Sequence, residues 1–275
     1  MKNYTIGFYL EKLYYSPQFE PVIKEIIKRN ISYVVIIPKN RERDELNQRG
    51  ESIKHCQEEG FTYCFEEDDC ECNIMIFGNT PRPIHTPFKK SALIMHGVWG
   101  GKMVNYASGL NDVDLRFLDG EFLENSLTKL FPEKKSIYYV SGYSKLDSYF
   151  EFTEEDRVKF LQHCNLDINK KTILYAPTFY PSSILKMSKK FPEDLADYNI
   201  ILKPHSHLFL RKKYTKDLHR LESWTKYPNV YLAKFNETNI LPFLHASDLM
   251  ISDMSSAVFE FSGVGKPAII NMFLR

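Results

Sequence analysis

The chain has 275 residues, 43% of them hydrophobic and 14% aromatic, with 17 Tyr and 20 Phe. That is enough apolar material for two ordinary domains, and it excludes a disordered chain or a small fold that needs staples. The 36 basic and 35 acidic residues leave a formal net charge of +1, against the basic excess of a dedicated nucleic-acid binder. No run reaches the ~20 apolar residues of a membrane-spanning helix.

The opening MKNYTIGFYLEKLYYSP reads as a first strand, Tyr4–Leu10, and not as a signal peptide. A helical pattern with Phe19, Val22, Ile23, Ile26 and Ile27 on one face follows over Phe19–Lys28. Further strands are expected at Tyr33–Pro38, Phe61–Phe65, Ile74–Phe77, Ala92–Met95 and Ile137–Val140, with a helix over Glu121–Phe131. A second series opens with Thr153 as N-cap of a helix whose first turn carries Glu154, Glu155 and Asp156 and which runs to about Cys164. Strands are expected at Thr172–Ala176, Ile200–Lys203, Val230–Ala233, Leu249–Ser252 and Ala268–Asn271. Helices are expected at Leu208–Trp224, Ile240–His245 and Ser256–Gly263. Uninterrupted apolar strands alternating with helices imply mainly parallel sheets covered on both faces. The expected organisation is α/β: two Rossmann-like domains, residues 1–147 and 148–275, joined near 142–153. The last strand stops just before the end of the sequence, so the second domain is expected to be truncated.

The five cysteines are odd in number, and Cys70-Glu-Cys72 is too tight for a paired zinc motif. They read as free thiols of a reducing cytoplasm, with no metal site expected. Asp112-Val113-Asp114 has the acidic DxD spacing of some metal-dependent glycosyltransferases, a pattern common by chance.

Five segments read as site loops. In DLMISDMSSAVFEF (Asp248–Phe261) an apolar strand ends at Asp253, and Ser255-Ser256 open a helix at its carboxyl end. Unpaired N–H groups and the helix dipole make such a start an anion site, although Ser255 could equally be a plain cap. His205 follows Lys203-Pro204, where the proline halts the strand ladder. An imidazole beside a lysine can bind a diphosphate or protonate a departing oxygen. His96 follows Ala92–Met95 and precedes Gly97, a base over a backbone-lined pocket. The glycines of His96-Gly97-Val98-Trp99-Gly100-Gly101-Lys102 lack the frame of a Walker loop. Leu174–Phe179 carries Thr178 on a Pro-stopped loop, and Gly142–Asp147 falls where the domains should join.

Taken together these segments resemble the CDP-glycerol glycerophosphotransferase family, over about Ala92 to Asn271. His96-Gly97 matches its H-G motif, Gly142–Asp147 resembles G-x-P-[RK]-x-D with Ser144 for proline, and Leu174–Phe179 matches L-Y-A-P-T-[WF]. Lys203–Ser206 resembles K-P-H-P, and Asp253–Glu260 matches D-x-S-S-x-x-F-[DE]. The resemblance implies a GT-B-type arrangement with the donor in a cleft between two Rossmann-like domains. It implies His96 as general base and His205 on the donor's diphosphate, both catalytic. Gly97, Lys203, Thr178, Asp253, Ser255, Ser256 and Glu260 would form the donor and phosphate site, and Gly142, Lys145 and Asp147 the interdomain group. The implied reaction moves a polyol phosphate from a CDP-polyol such as CDP-glycerol to a hydroxyl of a glycan or lipid-linked acceptor, releasing CMP. No nucleic acid is implied, no cofactor is required, and Mg is compatible with the chemistry. The expected place is the cytoplasm, with peripheral association at the inner membrane face compatible. In many members a lysine stands five residues beyond the H-G histidine; here Lys102 is six beyond. Ser144 in place of proline is expected to loosen its loop. A nucleotide-sugar glycosyltransferase of GT-B fold, or a non-catalytic nucleotide-binding relative, are the alternatives.

Overall fold

The computed structural model describes residues 2–39, 47–98, 106–133 and 135–272. The chain divides into two compact units, Met1–Asp147 and Ser148–Arg275, each built on one parallel sheet.

In the first unit the strands are β1 (Lys2–Tyr9), β2 (Tyr33–Ile37), β3 (Tyr63–Phe65), β4 (Cys70–Phe77), β5 (Phe88–Ile94), β6 (Leu115–Leu118) and β7 (Ile137–Val140), with helices α1 (Ser16–Lys28), α2 (Gln48–Glu58) and α3 (Glu121–Leu130). The sheet order is β3-β2-β1-β4-β5-β6-β7, every neighbouring pair parallel. Chain order reverses between β1 and β4, the switch point at which open α/β sheets bind ligands. Burial explains the regular elements. All five residues of β2 are buried, and α1 turns Phe19, Ile23 and Ile26 into a core with Phe8, Val35 and Ile37.

The second unit comprises α4 (Glu154–His163), β8 (Thr172–Ala176), α5 (Phe191–Asp194), β9 (Asn199–Leu202), α6 (His207–Leu210), α7 (Thr215–Trp224), β10 (Val230–Leu232), α8 (Leu241–Ala246), β11 (Leu249–Asp253), α9 (Ser256–Gly263) and β12 (Ala268–Asn271). Its order is β10-β9-β8-β11-β12, again wholly parallel, with the switch point between β8 and β11. Both β8 and β9 are buried throughout. Thr153 opens α4 with a reciprocal capping box to Asp156, as its spacing predicts.

The departures have local causes. β6 was not expected, because a four-residue strand containing Arg116 shows no apolar run. α2 carries a mostly polar sequence and buries only Ser52 and Cys56. The single helix expected over Leu208–Trp224 is broken at Arg211, whose backbone is extended (φ −125°, ψ 116°), giving α6 and α7. β4 begins four residues earlier than expected and carries Cys70 and Cys72 into the core.

Candidate functional site

At the carboxyl edge of the first sheet, β5 ends at Ile94 and places His96 beside the switch point. Its backbone N–H donates to the Gly78 carbonyl just past β4, 3.1 Å away, and its ring Nδ1 meets the same carbonyl at 2.8 Å. A carbonyl only accepts, so Nδ1 is the protonated nitrogen and the neutral ring carries its lone pair on Nε2. Tyr15, on the segment after β1, stacks on the imidazole at 4.7 Å and 24°, and Tyr14 meets it edge-on at 5.3 Å. Gly78 must be small: a Cβ there would fall 2.7 Å from the Tyr15 ring. Tyr14, Tyr15 and Gly78 are site residues that sequence reasoning missed; a glycine directly after a buried strand was the available signal. Trp99, Gly100, Gly101 and Lys102 lie outside the described residues.

The Gly142–Asp147 segment closes this unit. Gly142 takes φ +77°, a left-handed conformation suited to glycine. Lys145, expected at a joint, is 7% exposed. Ser144 does not loosen its loop: its hydroxyl donates to the Gln18 carbonyl of α1 at 2.7 Å. Tyr143 donates its hydroxyl to the His96 carbonyl at 3.1 Å, so the loop is tied to the histidine's own backbone. Asp147 is the last residue of the unit. Asp114 of the DxD segment serves β5, accepting from Lys90 Nζ at 2.7 Å and the Ser91 N–H at 2.9 Å. Among the described residues no three His, Cys, Asp or Glu side chains converge as a metal site.

In the second unit the predicted donor residues meet at the ends of β8, β9 and β11. The Lys203 N–H donates to Tyr175 O and the His205 N–H to Pro177 O. His205 Nδ1 accepts the backbone N–H of His207 at 3.2 Å, so in the neutral ring the proton sits on Nε2. This is the opposite tautomer to His96. Phe179 packs 5.0 Å from the His205 ring. Lys203 holds its ammonium 5.3 Å from the Phe243 ring centroid, a cation–π placement.

Ser255 is the N-cap residue of α9, in extended conformation, and its side chain makes no capping hydrogen bond. Its hydroxyl lies 3.3 Å from that of Ser252, which donates to the Ala176 carbonyl. The first turn of α9, starting at Ser256, therefore presents backbone donors at the switch point without a side-chain cap, the arrangement that suits a bound anion.

Three residues expected at the donor and phosphate site are engaged or buried within the unit itself. Asp253 is 2% exposed, and its Oδ2 accepts the Thr178 N–H at 2.9 Å and the Ser183 N–H at 3.3 Å. Burial pushes this carboxyl above its ordinary range, partly offset by those donors. Asp253 thus shapes the loop after β8 from inside. Thr178 turns its own hydroxyl into that loop, onto the Pro181 carbonyl at 2.8 Å. Glu260 is likewise buried, at 3% exposure, because α9 turns positions 258, 260 and 261 inward; a buried acid is poorly suited to receive a phosphate.

The sequence profile of the CDP-glycerol:poly(glycerophosphate) glycerophosphotransferase family matches residues 88–273, more than half of the chain. The teichoic acid glycerol-phosphate primase of Bacillus subtilis (strain 168) is 28% identical over 156 residues, covering 57% of this chain and 39% of the primase; its counterpart in Bacillus spizizenii is also 28% identical, covering 54% and 37%. The chain thus spans well under half the length of the curated relatives it matches. Among solved structures, the wall teichoic acid polymerase TagF superposes with a TM-score of 0.60 at 16% identity, covering 96% of this chain and 69% of that one. A UDP-GlcNAc 2-epimerase from Neisseria meningitidis gives 0.55 at 13% identity, covering 98% and 82%. These likenesses show the fold, two Rossmann-like units of the GT-B type.

Proposed function

From a chain that belongs to the CDP-glycerol:poly(glycerophosphate) glycerophosphotransferase family, we propose a transferase that moves glycerol phosphate from CDP-glycerol, or a related CDP-polyol, to an acceptor hydroxyl. The observation that carries the reading is the pair of histidines at the carboxyl edges of the two sheets, locked in complementary tautomers. The relative soaked with CDPG, a histidine-to-asparagine variant of TagF, supports the choice of donor.

His96 accepts the acceptor's proton at Nε2 as the hydroxyl oxygen attacks the glycerol-bearing phosphorus. The bond from that phosphorus to the bridging oxygen breaks, and CMP departs with the electron pair. His205 donates from Nε2–H to the diphosphate, and the first turn of α9 with Ser255 and Ser256 holds non-bridging oxygens. Lys203 supplies positive charge to the same group. Positioning and charge neutralisation carry most of the catalysis in such in-line transfers. Asp253 and Thr178 shape the loop between β8 and the histidine strand, and do not touch phosphate. Gly97 leaves the backbone beside His96 open to substrate. Gly142, Lys145 and Asp147 act as a structural joint.

The acceptor is a glycan or lipid-linked alcohol, and the protein works in the cytoplasm at the inner membrane face. Among the described residues no helix is long and apolar enough to cross a membrane, so that association would be peripheral.

The test is CMP release from CDP-glycerol, CDP-ribitol and a panel of UDP-sugars, followed by mass spectrometry with a mixture of hydroxylated acceptors. His96→Ala and His205→Ala should each lose at least ~10²-fold, the usual scale for a general acid or base. Turnover of a UDP-sugar in preference to both CDP-polyols would overturn the reading. So would wild-type rates in both alanine variants.

A further inference from the structure

Three loops leave the carboxyl edge of the first sheet: the segment after β1 with Glu11, Tyr14 and Tyr15, the segment after β3 with Glu66, and the segment after β4 with Gly78, Asn79, Arg82 and His85. Two of them hold His96. The first lays the Tyr15 ring on the face of the imidazole and Tyr14 against its edge, and the third supplies the Gly78 carbonyl that meets Nδ1. The orientation of the imidazole therefore depends on how these two loops stay in register with each other.

Arg82 joins them. It lies four residues beyond Gly78, and Glu11 lies three before Tyr14; Arg82 Nη1 meets Glu11 Oε1 at 3.0 Å. Its Nη2 donates to the Tyr9 hydroxyl at 3.0 Å. That hydroxyl in turn donates to Glu66 Oε2 at 3.1 Å, and Glu66 Oε1 accepts the His85 N–H at 3.2 Å. The chain of bonds leaves the loop after β4 at Arg82 and returns to it at His85. Burial pushes the Tyr9 phenol up to about 12, with the Arg82 guanidinium working against the rise, so Tyr9 keeps the proton it gives to Glu66. The Arg82 and Glu11 side chains are 23% and 21% exposed. They are sheltered enough to outdo an open surface pair, and wet enough to avoid the full cost of burying two charges. The planar fork meets two acceptors at once, a geometry that lysine lacks. Asn79 adds a lesser link: its Oδ1 takes the Thr80 N–H at 2.8 Å, and its Nδ2 reaches the Tyr15 hydroxyl at 3.4 Å.

The geometry points to Arg82 as a positioning residue for His96: it pins the loops after β1 and β4 together, so that the Tyr15 ring and the Gly78 carbonyl enforce one orientation and one tautomer of the imidazole. Arg82 touches no reacting atom, and its bearing on rate rests on the proposed reaction, in which His96 takes the acceptor's proton. With the pin removed the two loops move independently, and a share of molecules carries the ring turned or protonated on Nε2. Those molecules have no lone pair where the alcohol must give up its proton. Turnover falls with the share that remains competent.

The experiment reads the imidazole directly, by long-range ¹H–¹⁵N spectra of the full chain labelled with ¹⁵N-histidine. The His96 signals are assigned by their disappearance in His96→Ala, and the wild type should show them in the Nδ1–H tautomer. Arg82→Met keeps an unbranched apolar stem and removes the fork. Its His96 nitrogens should shift toward the average of the two tautomers while the His205 signals stay in place. In the same variant kcat for CMP release should fall ~10-fold or more, the scale of one charge-assisted hydrogen bond, with donor KM within ~2-fold. Arg82→Lys, which retains a charge beside Glu11, should recover part of both. Unchanged His96 signals in Arg82→Met overturn the assignment even if the rate falls, because the loss then comes from general loosening. A wild-type kcat despite shifted signals overturns it as well. If Arg82→Met does not fold, Glu11→Gln removes the ion pair alone and is read by the same signals. If the wild type releases no CMP from CDP-glycerol with any acceptor, yet the His96 signals shift in Arg82→Met, the proposed reaction fails and the pin stands.

Discussion

Gly78→Ala is a methyl-sized perturbation aimed at the support of His96. The added Cβ would meet Tyr15 ring atoms at 2.7 and 2.8 Å and Phe19 at 3.2 Å. Both rings are at most 2% exposed, so neither can swing into solvent, and overpacking of this kind costs about 1–3 kcal/mol of stability. The strain is relieved by moving the Tyr15 ring, which stacks on His96, or the Gly78 carbonyl, which holds its Nδ1. Losing the hydrogen bond is worth about 0.5–1.5 kcal/mol, and losing the ring contact a similar amount. Together these predict a fall in kcat of about 5- to 160-fold at 1.36 kcal/mol per decade, with donor KM little changed. The assay is CMP release from CDP-glycerol alongside thermal unfolding. Tyr15→Leu in the same chain should restore part of the stability and none of the rate, since the clash goes and the stack goes with it. In a His96→Ala background Gly78→Ala should cost no further rate. An equal fold-loss with and without His96 would refute the argument, because the effect would not then pass through the imidazole.

Other consequences can be measured in parallel. Thr153→Ala, which removes a complete capping box, should cost about 1 kcal/mol by denaturant unfolding, whereas Ser255→Ala, whose hydroxyl caps nothing, should leave stability within ~0.5 kcal/mol and weaken CDP binding by calorimetry. Ser255→Asp should act with opposite signs: the carboxylate caps α9 and gains about 0.5–2 kcal/mol, while nucleotide diphosphate binding falls at least ~10-fold. Lys266 Nζ donates to the carbonyls of Leu244, His245 and Ser247 at the end of α8, so Lys266→Met should destabilise by about 1.5–3 kcal/mol without altering CDP affinity. Because burial raises the Asp253 carboxyl, the folded state holds that proton to higher pH than the unfolded chain. The associated stability is present in acid and is lost as pH rises through the raised value. Asp253→Asn should therefore lack this decline above the ordinary carboxylate range, and identical pH–stability curves for the two proteins would contradict it.

The parts of this molecule that sequence made legible are those whose cause is local. β2, β8, β9 and β11 are buried apolar runs, Thr153 announces its helix three residues ahead of Asp156, and Ser255-Ser256 follow a strand directly. Where the cause is distant, the reading missed. The tautomer of His96 is set by a carbonyl 18 residues away, and the ring beneath it comes from 81 positions earlier. Ser144, expected to loosen a loop, anchors it to a carbonyl 126 residues away. Asp253 and Glu260 were expected in the donor and phosphate site because they belong to the D-x-S-S-x-x-F-[DE] motif around Ser255-Ser256; the strand and helix bury both residues. A motif records which residues travel together, and the fold decides which of them face the substrate.

The opposed tautomers also constrain how the two histidines can divide the work. His96 gives its Nδ1 proton to Gly78 and keeps Nε2 as a lone pair, so it can take a proton without rearrangement. At His205 the donor is the His207 backbone N–H, which always points its proton at Nδ1. Protonating that nitrogen would set two N–H groups against each other at 3.2 Å, so the geometry favours the neutral ring that donates from Nε2. An exchange of roles would require both supporting backbone contacts to break. The consequence is a reaction served by two neutral imidazoles, one accepting and one donating a hydrogen bond. His205→Gln, whose amide still donates a hydrogen bond, should then keep most of the CMP-release activity that His205→Ala loses, and equal losses in the two variants would refute the assignment.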